Sequence, residues 1–319
     1  MKRRQLLGGA FAGLAAAALP ARAQAAWPTK PITAIVPFAP GGAGNGSLRI
    51  LAEVIAPRIG QAIVVDNRPG GGGIPGTRLV AKSTDDHTLL MGSTSMTIAP
   101  ALNKDLGYDV LGDLQPVGMI SSQPLVFAVA ANSPITSLDD FIARARRQEV
   151  TGGNSGIGTL SHLTTELLNR RLRTRIVPVP YKGDAVLIPD VVSGNVAMGV
   201  FNLPVAMPMI QAGRLRAIAV TSSAPLASLP GTPLLRTLGN DLVITGWACL
   251  MAARNVPAAG VERFGTLLRQ ALAEPVVRER FAGFGVTPEA TTPQQLRDFL
   301  RAEIARWGEV VASAGIRVE

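Results

Sequence analysis

The residues of this chain that are best suited to bind a ligand lie in two glycine-rich segments. Residues 37–45 read PFAPGGAGN and residues 151–159 read TGGNSGIGT, and apolar residues at helical spacing follow each of them. Glycine lets the backbone turn tightly and present several N–H groups. The start of a helix attracts a carboxylate or phosphate through its unpaired N–H groups and its dipole. The two segments together predict a site that holds an anionic group from two sides.

Neighbouring residues add to this prediction, and an ordinary structural role stays open for each of them. Asn45 is predicted to cap the helix after the first segment, and Phe38 offers an apolar wall beside it. A glycine-rich turn is also common in α/β proteins as a plain connection between a strand and a helix. His162 lies about one turn into the second helix, where a lone histidine more often packs than catalyses.

The residue pattern argues against an enzyme. Residues 153–157 read GNSGI, which approaches the Gly-x-Ser-x-Gly elbow of serine hydrolases, but Ile157 stands where the last glycine belongs. A catalytic triad around Ser155 would need one of the only two histidines, His87 or His162. The first segment lacks the Gly-Lys-Ser/Thr ending of a nucleotide-binding loop and does not fit Gly-x-Gly-x-x-Gly. A serine hydrolase is therefore the least favoured alternative.

The N-terminus has the order of a cleaved secretory signal. A basic start at 2–4 precedes an uncharged, mostly apolar stretch at 6–19 and small residues at 21–25. The stretch is shorter than the roughly 20 residues that a membrane-spanning helix needs, so a retained anchor is the weaker interpretation. Residues 1–25 are predicted to be a signal peptide that exports the protein to the periplasm.

Charge and cysteine content narrow the class of partner. The formal net charge is +9, but the signal holds four basic and no acidic residues, which leaves the mature chain near +5. That balance favours anionic solutes, although general solubility explains it equally well. No dense basic tract with interleaved aromatics indicates nucleic acid.

Cys249, the only cysteine, is predicted to be a buried, inert thiol. No zinc-site spacing is present, so no metal or cofactor is predicted.

The elements that must position the two segments alternate between strand and helix. From Pro31 onward, strand-like apolar runs alternate with helical patterns, which predicts an α/β fold. Each glycine-rich segment opens a separate strand–helix unit, and the two units are expected to face one cleft. Extended runs at 125–130 and 243–251 are candidate crossovers between the two lobes. Since no low-complexity linker divides the lobes, the hinge is predicted to consist of paired strands.

Six short segments in the same order resemble one known family. They read WPTKPI at 27–32, VPFAPGG at 36–42, VDNRPG at 65–70, VPYKG at 179–183, LRAIAVT at 215–221 and GW at 246–247. The chain resembles the Bug-type receptors, which are extracytoplasmic solute-binding proteins of tripartite tricarboxylate transporters. The matching segments span nearly all of the mature chain, and their combination is specific although each segment alone is not.

The resemblance implies a type II periplasmic-binding-protein fold, in which two crossover strands join two α/β lobes with a ligand cleft between them. Lobe 1 would combine residues 26–127 and 247–319, and lobe 2 would hold residues 128–246. The implied function is capture of a small organic acid, amino acid or related anionic solute by hinge closure, and its delivery to the membrane permease subunits of a tripartite transporter. A monomer is expected. Presentation of the solute to a membrane signalling protein is the alternative.

The resemblance also implies the binding residues, because in this family backbone groups of the two glycine-rich loops hold the carboxylate. Carried over to matching positions, with a polar loop at 93–95 added, the expected ligand-binding residues are Phe38, Ala39, Gly41, Gly42, Ala43, Asn45, Ser93, Thr94, Ser95, Ser155, Gly156, Gly158, Thr159, His162, Tyr181, Lys182, Gly183, Asn202 and Trp247. For His162 and Trp247, helix packing explains the residue nearly as well.

Three positions depart from the family's pattern. Asn45 and Asn202 stand where the family usually has Asp, and Asp184 stands where a small residue is common. A neutral amide changes the charge presented to a ligand. The identity of the solute is therefore not transferred from any relative.

Overall fold

The computed structural model describes residues 27–239, 242–283 and 285–314. The predicted signal peptide at 1–25 lies outside the described residues. In the described part of the chain, no helix combines the length and the apolar character that crossing a membrane requires.

The first lobe begins as a parallel sheet covered by helices. Its first elements in chain order are β1 (Ile32–Val36), α1 (Ala43–Ile59), β2 (Ile63–Asn67), a 3-10 turn (Gly71–Gly73), α2 (Ile74–Ala81), β3 (Thr88–Ser93) and α3 (Thr94–Leu102). Strand β1 pairs in parallel with both β2 and β3. The continuous apolar run of β1 is buried, as expected for a strand with helices on both faces.

Two long strands connect the lobes. Strand β4 (Leu114–Ala130) pairs antiparallel with β9 (Thr245–Ala253) through residues 114–124, and its remaining residues pair within the second sheet. Strand β9 also pairs with β3, so it lies inside the first sheet. The predicted crossover runs at 125–130 and 243–251 overlap these two strands. However, β4 begins eleven residues before the predicted run, and its pairing with β9 lies at 114–124.

The second lobe surrounds the distal half of β4. Its elements are α4 (Leu138–Arg147), β5 (Val150–Asn154), α5 (Leu160–Leu172), β6 (Ile176–Pro180), α6 (Asp184–Ser193), β7 (Met198–Asn202), α7 (Leu203–Gln211), β8 (Leu215–Val220) and a 3-10 turn (Leu235–Leu238). The sheet order is β8-β4-β7-β5-β6, in which β5 pairs in parallel with β6 and β7. Ser137 caps α4 by accepting a hydrogen bond from the Asp140 N–H.

The C-terminal elements return to the first lobe. They are α8 (Ala258–Ala273), α9 (Pro275–Gly283), β10 (Thr287–Pro288) and α10 (Pro293–Ala314). Along α10, Leu296 and Leu300 pack into the core of the first lobe, whereas Trp307 packs with Ile98 in the core of the second. Helix α10 therefore contacts a hydrophobic core in each lobe.

Two segments expected to be loops belong to regular elements. Ser93 ends β3 and Thr94 begins α3, so the predicted polar loop at 93–95 is a direct strand-to-helix junction. Gly152 and Gly153 lie in β5. A Cβ at these positions would come within 2.5 and 2.2 Å of the side chains of Ile176 and Leu187, respectively. These glycines allow close packing of the sheet rather than a flexible loop.

Candidate functional site

A cavity of about 70 Å³ lies between the two lobes, which is room for several water molecules or a small solute. It is the place where the predicted glycine-rich segments meet. Its lining residues are Val36, Phe38, Ala39, Gly42, Gly44, Asn45, Met91, Ser93, Thr94, Ser95, Gln123, Ser155, Thr159, Leu160, Ser161, Gly183, Asp184, Asn202, Gly246, Trp247 and Ala248.

Five helices begin at this cavity: the lining includes residues at the first turns or N-caps of α1, α3, α5, α6 and α7. Two of these helices belong to the first lobe and three to the second. The first N–H groups of a helix have no partner within it, and the helix dipole adds partial positive charge. The converging helix starts therefore make the cavity suited to an anionic group.

The start of α1 differs from the prediction for Asn45. Gly42, in an extended conformation, occupies the N-cap, and Asn45 already lies inside the helix, so its assignment as the cap was wrong. The Asn45 amide donates to Asn67 Oδ1 at 3.0 Å and accepts from Arg49 Nε at 3.0 Å. Asn67 in turn donates to the Phe38 carbonyl at 2.9 Å. This chain of bonds fixes the backbone of the first glycine-rich loop at the cavity.

A cluster of three hydroxyls forms the opposite wall. Thr159 caps α5 by accepting from the His162 N–H. The Ser155 Oγ lies 2.8 Å from Ser161 Oγ, and Thr159 Oγ1 donates to the Gly156 carbonyl at 2.6 Å. In the described residues, Ser155 is thus bonded to other hydroxyls and not to a histidine base. The arrangement can donate hydrogen bonds to a solute but does not form an activated nucleophile.

A buried acid completes the second lobe's side of the wall. Asp184 Oδ2 accepts from the Asn202 backbone N–H at 2.9 Å and from Asn202 Nδ2 at 2.7 Å. Asp184 Oδ1 is buried and has no hydrogen-bond partner among the described residues. Burial raises the pKa of Asp184 to about 6, and the hydrogen bonds from Asn202 act in the opposite direction. Asn202 Oδ1 accepts from Gln123 Nε2 at 3.4 Å.

Trp247 lines the cavity while its indole is engaged elsewhere. Its backbone N–H donates to Thr94 Oγ1 at 3.2 Å, which holds β9 against the start of α3. The indole N–H donates to Glu303 Oε2 on α10 at 3.2 Å, and Trp307 donates to the same oxygen at 3.0 Å. The ring also packs edge-on against Phe299. Trp247 thus joins the cavity wall to the C-terminal helix.

Six expected binding residues with described side chains do not line the cavity: Gly41, Gly156, Gly158, His162, Tyr181 and Lys182. His162 Nδ1 accepts from the Gly158 N–H at 3.2 Å, and burial lowers the pKa of His162, so the neutral ring serves a structural role. The Tyr181 hydroxyl donates to Asp190 Oδ2 at 2.5 Å, and that bond raises the pKa of Tyr181 to about 12. The side chain of Ala43 lies outside the description.

The two lobes contact each other across the cleft. The Ala39 N–H donates to the Lys182 carbonyl at 3.4 Å. A Cβ added to Gly72 would lie 2.3 Å from the Ile157 carbonyl oxygen, so only glycine allows this approach. Lys182 and Ile157 therefore contribute to the contact between the lobes rather than to the cavity. The lobes therefore touch each other at these points beside the cavity.

Several lining residues were absent from the sequence prediction. They are Val36, Gly44, Met91, Gln123, Leu160, Ser161, Asp184, Gly246 and Ala248. Gln123 and Gly246 face each other in the register between β4 and β9, which the sequence does not specify. The sequence does carry a signal for Asp184 as a site residue, because this acid directly follows the Lys182–Gly183 pair at the start of a helix. From the sequence it is identified only as a departure from the family's pattern.

One group of potential metal ligands, Asp85, Asp86 and His87, brings its ligand atoms within 4.8 Å of one another. Asp85 forms an ion pair with Lys30 at 2.9 Å, and His87 Nε2 accepts from the Thr29 N–H at 2.9 Å. These bonds anchor the segment before β1, so the group has a structural role away from the cavity.

The sequence and the fold of this chain are similar to those of known solute receptors. Residues 47–316 match the model of a family described as "Tripartite tricarboxylate transporter family receptor". Protein BugT of Bordetella pertussis is 36% identical, over 100% of this chain and 99% of its own length. The structure of periplasmic binding protein BugD aligns with a TM-score of 0.87 and 27% identity, over 92% of this chain and 100% of that chain.

A structure of R. palustris Rpa4515 with adipate aligns with a TM-score of 0.86 and 31% identity, over 91% of this chain and 99% of that chain. These likenesses confirm the predicted periplasmic-binding-protein fold.

Proposed function

The chain belongs to the family of tripartite tricarboxylate transporter receptors, and we propose that it captures a small carboxylate-bearing solute. The Bug-type proteins of this family bind solutes rather than catalyse reactions. The observation that carries the proposal is the convergence of five helix starts on one cavity between the lobes. Such an arrangement binds an anion through backbone N–H groups and helix dipoles, without a cation of its own.

The carboxylate would dock first on the loop that precedes α1. There Asn67, itself bonded to Asn45, donates a hydrogen bond to the Phe38 carbonyl. The hydroxyls of Ser93, Thr94 and Ser95 would donate from the start of α3. Because these groups are fixed by protein contacts before a solute arrives, little ordering is needed on binding.

Hinge closure would then bring the second lobe onto the solute. The hydroxyl cluster at the start of α5 and the starts of α6 and α7 add their contacts only when the lobes meet. The paired strands β4 and β9 run between the lobes and provide the hinge. A solute favours the closed state only by binding it better than the open state.

The mature protein would act in the periplasm after removal of residues 1–25 and would deliver its solute to the membrane subunits of a tripartite transporter. The closed form would be the one that the permease recognises. Lobe 1 would comprise residues 26–127 together with 247–319, and lobe 2 would comprise residues 128–246. Fractionation of cells that express the full chain tests the location, since the protein should appear in the periplasmic fraction with a shortened N-terminus.

Ligand screening tests the binding function directly. The purified mature protein is heated with organic acids, amino acids and aromatic acids, and hits are measured by titration calorimetry. A solute at a hundred times its Kd should stabilise the fold by about 2.7 kcal/mol and raise Tm by roughly 5 °C. If none of these acids stabilises the protein, the proposal is wrong.

A further inference from the structure

Asp184 places a carboxylate in the wall of the cavity with one oxygen unused. The residue is only 4% exposed. Both donors of Asn202 bind Oδ2, which leaves Oδ1 buried and without a partner among the described residues. The Ser155 hydroxyl acts on Asp184 to lower its pKa, and it also lies 2.8 Å from Ser161 Oγ, where either hydroxyl can be the donor. An unpaired buried carboxylate oxygen costs free energy unless a bound molecule satisfies it.

The charges around the cavity indicate what that molecule carries. Among the described lining residues, Asp184 is the only one with an ionisable carboxyl or amino group, and none is Lys, Arg or His. The site therefore combines a formal negative charge at Asp184 with partial positive charge at the helix starts. A solute with a carboxylate alone would leave the Asp184 oxygen unpaired, and a second solute carboxylate near it would add like-charge repulsion in a water-poor site.

We propose that Asp184 is a specificity-determining residue whose Oδ1 accepts a hydrogen bond from an ammonium group of the solute, so that the site selects amino acids over simple acids and dicarboxylates. This inference rests on the proposed function, because the solute carboxylate still binds at the helix starts. A zwitterion matches both poles of the cavity. The bond between an ammonium and a buried carboxylate is charge-assisted and thus stronger than one between neutral groups.

Matched solute pairs test the inference by calorimetry at pH 7.5. The pairs are alanine with propionate, leucine with 4-methylpentanoate, and glutamate with glutarate, each differing only in the ammonium group. The wild-type protein should bind at least one amino acid about tenfold or more tightly than its partner acid, which corresponds to about 1.4 kcal/mol. In Asp184→Asn this preference should vanish, because the neutral amide does not attract the ammonium.

Glu149→Gln is the matched control, since it removes one exposed negative charge between α4 and β5, outside the cavity. It should keep the wild-type preference. Equal or tighter binding of the simple acids by the wild-type protein would overturn the inference and leave carboxylate capture intact. So would a preference that survives in Asp184→Asn. If no carboxylate of any kind binds, the proposed function falls together with the inference. The affinities of the wild-type protein for the paired solutes test the inference even if Asp184→Asn fails to fold.

Discussion

Asn202 holds one oxygen of Asp184 from two directions, with its side-chain Nδ2 at 2.7 Å and its backbone N–H at 2.9 Å from Asp184 Oδ2. The pair links the starts of α6 and α7 in the cavity wall. An amide at position 202 can donate to this carboxylate, whereas a second carboxylate would place two buried like charges in contact. The two departures from the family at 184 and 202 are therefore structurally coupled.

Stability should fall with rising pH because of Asp184. Burial raises its pKa from 3.8 to about 6, so between these values the folded state binds more protons than the unfolded state. Stability is therefore highest below about pH 4 for this group and declines by roughly 3 kcal/mol as pH rises through 6. Denaturant unfolding of ligand-free protein from pH 4 to 8 measures this slope, which Asp184→Asn should flatten. Identical slopes for variant and wild type would contradict it.

Gly72 should be required for closure of the lobes. Its φ is 61°, and alanine there would bring a Cβ within 2.3 Å of the Ile157 carbonyl oxygen. Gly72→Ala is expected to weaken solute binding tenfold or more and to abolish the ligand-induced decrease in radius of gyration seen by small-angle scattering. Gly213→Ala is the control, because Gly213 has a φ of 65° and open space around its Cβ position. Equal affinity in both variants would show that the contact is unimportant.

The Asn67 side chain should be needed to keep the first loop ready for the solute. It accepts from Asn45 and donates to the Phe38 carbonyl at 2.9 Å. Asn67→Ala should cost about 1–2 kcal/mol of stability and also weaken solute binding severalfold. Asn103→Ala removes a comparable bond to the Ala99 carbonyl at 3.0 Å, outside the cavity. Its affinity should match the wild type. A similar loss of affinity in both variants would contradict the assigned role.

Glu303 should stabilise the contact between the cavity wall and α10. It accepts from the indoles of Trp247 and Trp307 and is only 7% exposed. Glu303→Ala leaves two buried N–H groups unpaired, so a loss of about 2–5 kcal/mol is expected in denaturant unfolding followed by tryptophan fluorescence. Arg306→Ala, which removes a partly exposed ion pair and a cation–π contact with the Trp307 ring, should cost about 1–2 kcal/mol or less. Equal losses would show that the indole bonds contribute little.

The sequence predicted the elements more completely than the cavity wall. The apolar runs and glycine-rich segments correctly indicated an α/β fold and the meeting of two loops, since these features follow from local pattern. Tyr181 does not line the cavity in the structure, where its hydroxyl bonds Asp190 on α6. Gln123 was missed because only the register of β4 against β9 brings it to the cavity. Residue type indicates what chemistry is available, whereas side-chain direction depends on tertiary packing.

The central claim is tested most directly by a crystal structure of the mature protein with the solute that binds most tightly in the screen. The account predicts a carboxylate between the lobes, with its oxygens within about 3 Å of backbone N–H groups or hydroxyls at the starts of α1, α3 and α5. A solute bound outside this cavity, or one whose carboxylate contacts none of those helix starts, would contradict it.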